Sequence, residues 1–126
     1  MELAKLLNAK VYALYVLNKD AYVPPVLETS IRLGSNWNVI DEMLRQEGSD
    51  AILYAKKVAD GMKINYEGLV VEGDPASTIL EFAEQNKVDL IVMGTLGKRG
   101  LERFLLGSVT EKVVKHAKTS VLVVKF

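Results

Sequence analysis

The residues of this chain best suited to chemistry lie in one stretch, MGTLGKRGLERFLLGS, residues 93–108. It carries Gly94, Gly97, Gly100 and Gly107, the cations Lys98, Arg99 and Arg103, and a single acid, Glu102. A glycine at the end of a strand lets backbone approach a ligand with no Cβ in the way. A helix start presents three or four unpaired N–H groups and about half a positive charge. Gly94 and Gly97, followed by a helix opening at Gly107-Ser108, would therefore form a phosphate site from backbone alone. Ser108 adds a hydroxyl donor, and the three cations of the loop would screen phosphate charge. The same residues also have a purely structural reading. Ser108-Val109-Thr110-Glu111 fits a capping box, with Ser108 as the cap and Glu111 reaching back to it. The glycines would then be a helix terminator and a turn. Spacing alone leaves both readings open. The stretch is neither a Walker loop, since no Gly-Lys-Ser/Thr follows the glycines, nor a dinucleotide fingerprint, which belongs after the first strand.

Other candidates carry less. His116, the single histidine, falls in the last turn of the final helical pattern, where a cation complements the helix dipole. No nucleophile accompanies it to make a triad. Asp74-Pro75 reads as a helix cap followed by a first helical residue, in preference to an acid catalyst. Asp89 reads as a turn residue before a strand. Trp37 and Tyr22 flank a long loop and could stack on a ligand or pack on the core edge. Met43, Met62 and Met93 are core-type positions. No cluster of His, Asp and Glu has metal-ligand spacing, so any magnesium would arrive with nucleotide phosphates. The absence of cysteine excludes disulfides and thiolate sites. Sixteen basic side chains balance sixteen acidic ones, which gives no footing for a nucleic-acid or membrane partner. No apolar run reaches the ~20 residues of a membrane span, and no signal peptide is visible. The expected compartment is the cytoplasm.

The elements that must position the glycine stretch follow from periodicity. Residues 2–8 read as helical and end at Asn8-Ala9. KVYALYVL, residues 10–17, is a nearly all-apolar strand, covered on both faces and hence parallel. Residues 18–36, with Pro24-Pro25 and Gly34, read as a loop longer than most. A helix follows over residues 38–62, with Ile40, Leu44, Ala51, Ala55, Val58 and Met62 as its apolar stripe and a possible kink at Gly48. Strands are expected over 64–73, 88–94 and 120–126, and helices from Asp74-Pro75 to Asn86 and over 109–116. Ile79, Leu80, Phe82 and Ala83 form the buried face of the former. With 126 residues this is one domain, 1–126. Strand and helix alternate throughout, so the fold class is α/β: a three-layer sandwich with a parallel sheet between helices. Ligands of such sheets bind beyond the carboxyl ends of the strands, which is where Gly94 falls.

Gly94-x2-Gly97-x9-Gly107-Ser108 matches the nucleotide motif of ATP-binding universal stress proteins. Residues 70–126 resemble the carboxyl half of that family throughout. ELAKLLNAKVYALYVL, residues 2–17, resembles the end of its first helix and its second strand. The resemblance implies ATP as ligand. Gly94, Gly97, Gly107 and Ser108 would wrap the phosphates and ribose, Val109 would add a backbone contact, and Met93 and Val16 would line the adenine. It also implies a five-stranded sheet of order 3-2-1-4-5 and a homodimer through the last strand, Val121 to Val124. Binding with little or no hydrolysis is expected, in a regulatory or stress-response role. The alternatives are a slow ATPase and a dimeric protein-interaction module without nucleotide. One departure stands out: family members begin with a strand and an aspartate that this sequence lacks. That strand would be the central one. An empty slot would leave two rows of backbone groups unpaired, each costing about 1–3 kcal/mol. Three outcomes are open: the chain is part of a longer one, which is the favoured expectation; the flanking strands pair directly; or a partner supplies the strand.

Overall fold

A computed structural model describes residues 1–18, 36–94 and 107–125, with backbone alone for 36–40. The element order is α1 (Glu2–Leu7), β1 (Val11–Leu17), α2 (Asn36–Gly61), β2 (Tyr66–Glu72), α3 (Pro75–Gln85), β3 (Leu90–Gly94), α4 (Ser108–His116) and β4 (Ser120–Val124). The class is α/β with parallel strands, as the alternation predicts. The chain divides into two compact units, Met1–Gly73 and Asp74–Phe126. Each strand finds its ladder partner within its own unit: β1 with β2, and β3 with β4.

In the first unit, α1 stops because Asn8 turns left-handed, with φ 52° and ψ 42°, a conformation asparagine tolerates better than most residues. β1 and β2 pair in parallel, with Tyr15 opposite Val70 and Ala13 opposite Gly68. Side chains alternate across a strand, so Tyr66, Gly68, Val70 and Glu72 share one face, and α2 lies along it. Arg45 reaches the Glu72 carboxylate at 3.2 Å. Gly48 meets the Tyr15 ring and Val70, and Ile52 meets Gly68 and Tyr66. The Tyr66 hydroxyl donates to the Ile52 carbonyl at 2.7 Å. Positions 45, 48 and 52 thus descend the helix as 72, 70 and 68–66 ascend the strand, and α2 runs antiparallel to β2.

This seating corrects three expectations. Gly48 does not interrupt α2, which runs unbroken to Gly61. A Cβ there would stand 2.8 Å from Tyr15 Cδ1, so the glycine admits the ring. The buried stripe is Leu44, Gly48 and Ala59 with Ile52, Ala55 and Val58 partly covered, while Ala51 is exposed. Met43 is 65% exposed and is not a core residue, because position 43 precedes Leu44 and points off the stripe. Helix α2 also begins at Asn36, two residues before its expected start; Ile40 and Trp37 have no described side chain, and Tyr22 lies outside the described residues.

In the second unit, Asp74 caps α3 as its sequence predicts. Its carboxylate accepts the Ser77 amide at 3.1 Å, and Pro75 opens the helix. Ala76, Ala83, Ile91 and Val113 form a core onto which Ile79, Leu80, Val88, Met93, Val109, Ala117 and Val121 pack. Both α3 and α4 contribute to it, so they cover one face of the β3–β4 pair. The other face carries Val92, Leu122 and Val124, all exposed.

Candidate functional site

The site suggested by the glycines is built where β3 ends and α4 begins. β3 exits at Gly94, which pairs with Val124. The helix opens with Gly107 in extended conformation, φ −61° and ψ 154°, as its cap residue. Ser108 is therefore the first helical residue and not the cap. The cap makes no side-chain bond, and among the described residues the capping box expected of Ser108 and Glu111 is not formed. Glu111 contributes its backbone amide, which donates to the Gly107 carbonyl at 2.9 Å. The physical consequence is direct. In a capping box the serine oxygen would occupy an amide of the first turn. With glycine at the cap, the amides of Ser108, Val109 and Thr110 lie in the first turn, where the helix itself offers no acceptor, and the cap residue brings no side chain to them. Gly107 is buried and Ser108 exposed, so the serine hydroxyl stands on the solvent side of this opening.

Thr110 sits one step inside the helix and is 2% exposed. Its hydroxyl donates to the carbonyl of Gly94 at 2.8 Å. This bond ties the end of β3 to the first turn of α4. Sequence reading overlooked Thr110. The signal was present, since a hydroxyl at position 110 shares the buried stripe of Val113 and Ala117, and a polar group on such a stripe needs a partner.

The remaining predicted residues fall as follows. Met93 and Val109 are half-buried and pack against the second unit's core. Val109 is expected to act through its backbone, which that packing leaves unchanged. Val16 belongs to the first unit, near the carboxyl end of β1 and opposite Val71. Alternation puts it on the face away from α2. Gly97, Lys98, Arg99 and Arg103 lie outside the described residues. His116 is exposed in the last turn of α4, beside Lys115. Asp74 is held below the ordinary carboxylate value by its bond from the Ser77 amide, then by the Ser77 side chain, with the Lys112 charge adding to both. Lys112 belongs to α4, so the start of α3 and the body of α4 are electrostatic neighbours. Among the described residues no group of three His, Asp or Glu is arranged to hold a metal ion, and no helix is long and apolar enough to cross a membrane.

Universal stress protein MJ0531 of Methanocaldococcus jannaschii is 49% identical over 127 residues, covering 99% of this chain and 70% of its own length. The solved structure of MJ0577, a universal stress protein of the same organism, superposes with a TM-score of 0.73 at 30% identity, over 99% of this chain and 87% of that one. A universal stress protein solved in complex with cAMP matches at a TM-score of 0.61 and 25% identity, over 98% of this chain and 80% of that one. The sequence profile of the universal stress protein family spans residues 1–125, and the chain is a member of that family.

Proposed function

We propose that this protein binds ATP at the junction of β3 and α4 and acts as a nucleotide-dependent regulatory module of the stress response. The observation that carries the proposal is the start of α4. Its cap is a glycine, which makes no side-chain cap bond, and among the described residues the strand before it ends in Gly94. A triphosphate fits this donor set: backbone amides at the positive end of a helix, an exposed Ser108 hydroxyl, and glycine backbone beside them. Gly94, Gly97, Gly107 and Ser108 would hold phosphates and ribose, Val109 would add its amide, and Val16 and Met93 would border the adenine. The cAMP complex of a family member supports an adenine nucleotide as ligand. Magnesium would enter with the phosphates. The amides at the start of α4 stabilise ground-state phosphate charge, which favours binding with little or no turnover. The proposal includes a single domain over 1–126, the order 3-2-1-4-5 for the completed sheet, and the cytoplasm as compartment.

The experiment is thermal unfolding with and without nucleotide. Ligand at about 100 times its Kd adds about 2.7 kcal/mol to stability, so millimolar ATP should raise Tm by several degrees. No rise at millimolar ATP would overturn the proposal.

A second reading, a dimeric interaction module, draws on the exposed Val92, Leu122 and Val124 and on a homodimer through the last strand. It predicts concentration-dependent association that nucleotide leaves unchanged, which sedimentation would detect.

A further inference from the structure

A glycine that admits a ligand also brings a cost. It has the widest backbone freedom of any residue, and fixing it loses the most entropy. Gly94 ends β3, and its pair with Val124 is the last of the ladder among the described residues. The carbonyl of Gly94 is nonetheless held, by the hydroxyl of Thr110 at 2.8 Å. Threonine is a mediocre helix former, and its hydroxyl ordinarily turns back onto its own helix. Here it leaves the helix to reach a strand, and it is the one buried polar side chain among the described residues. A valine would fill the same space and form a better apolar stripe with Val113. The hydroxyl therefore does something that packing does not require.

We propose that Thr110 is a positioning residue for nucleotide binding, which rests on the reading of this site as an ATP site. By fixing the Gly94 carbonyl to the first turn of α4, it sets the separation between the glycine backbone of the strand end and the amides of Ser108 and Val109. Thr110 offers the nucleotide only its amide. Its side chain acts through Gly94. Without the hydroxyl, Gly94 regains its freedom, and the two halves of the site must be reordered by each nucleotide that binds.

The test compares ATP affinity, by calorimetric titration, for the wild type, Thr110→Val, Thr110→Ser and Val113→Ala, at a temperature where all four are folded. Thr110→Val should weaken ATP binding about tenfold, the order expected for one hydrogen bond. Thr110→Ser, which keeps the hydroxyl, should bind within about threefold of the wild type. Val113→Ala removes packing from the same helix without touching Gly94; it should lower Tm and leave affinity unchanged. Thr110→Ala replaces the valine variant if that one does not fold. If the wild type binds and Thr110→Val binds equally well, the positioning role is refuted while the site survives. If Thr110→Ser or Val113→Ala loses as much as Thr110→Val, the effect is general stability and the proposal fails. A wild type that does not bind ATP overturns the site itself, and the positioning role with it.

Discussion

Substituting Gly68 by alanine probes the seating of α2 on β2, which fixes the unit that carries Val16. A Cβ at position 68 would run into the Ile52 methyl Cγ2 and stand 2.6 Å from the Tyr66 hydroxyl. Neither atom retreats easily. The methyl hangs from a β-branched residue on a helix, where χ1 is nearly fixed. The hydroxyl is held by its bond to the Ile52 carbonyl. The strand must therefore move off the helix. Overpacking of this kind costs about 1–3 kcal/mol, and losing the tyrosine bond adds about 1 kcal/mol. Alanine returns about 0.5–1 kcal/mol by restricting the unfolded chain. The net expectation is a loss of about 2 kcal/mol, or a Tm lower by roughly 5–10 °C for a chain of this size. Urea unfolding followed by circular dichroism measures it. A double-mutant cycle sharpens the test. Tyr66→Phe removes one of the two atoms that stand closest to the new Cβ, so the pair should cost less than the sum of the single changes by about 0.5–1 kcal/mol. A Gly68→Ala variant within about 0.5 kcal/mol of the wild type would show that α2 is not seated at this register.

Further expectations follow from the same geometry. Gly48→Ala should destabilise despite alanine's advantage of about 1 kcal/mol in a helix, because its Cβ meets the Tyr15 ring at 2.8 Å. Gly61→Ala, with nothing within 4 Å, should be neutral or slightly stabilising; thermal melts of the two variants give opposite signs. The Asp74 carboxyl titrates below its ordinary 3.8 in the folded state. Its cap is therefore complete above that value and is lost as pH falls through the lower folded value. Asp74→Ala should lower Tm at neutral pH and flatten this part of the acid transition, which melts between neutral pH and about pH 3 would follow. Val113→Ala, at a position with no exposure, should cost about 2–3 kcal/mol by denaturant unfolding.

The sequence exposes element types and order because those depend on local periodicity. The all-apolar runs of β1, β3 and β4, the Asp74-Pro75 helix start and the Asn8 helix end were each legible from a few adjacent residues. What was not legible depends on partners distant in the chain. Gly48 looks like a weak point in a helix until Tyr15 and Val70 are placed against it. Gly68 looks like a flaw in a strand until Ile52 arrives. Ala51 and Met43 look as apolar as Leu44, and only the docked sheet decides which of them is covered. The candidate site divides in the same way. The glycine spacing was visible, and with it the helix start. That glycine and not serine takes the cap position depends on the phase of α4, which spacing cannot resolve. The role of Thr110 needed the Gly94 carbonyl 16 residues away in sequence.

The central claim is that nucleotide phosphates rest on the amides at the start of α4. Titrating ATP into isotopically labelled protein and following backbone amide resonances tests it most directly. The account predicts saturable shifts that are largest at Gly94, Gly107, Ser108 and Val109, and negligible at His116 in the last turn of α4 and at Lys118 just beyond it. Saturable shifts centred elsewhere, or none at the first turn of α4, would contradict it.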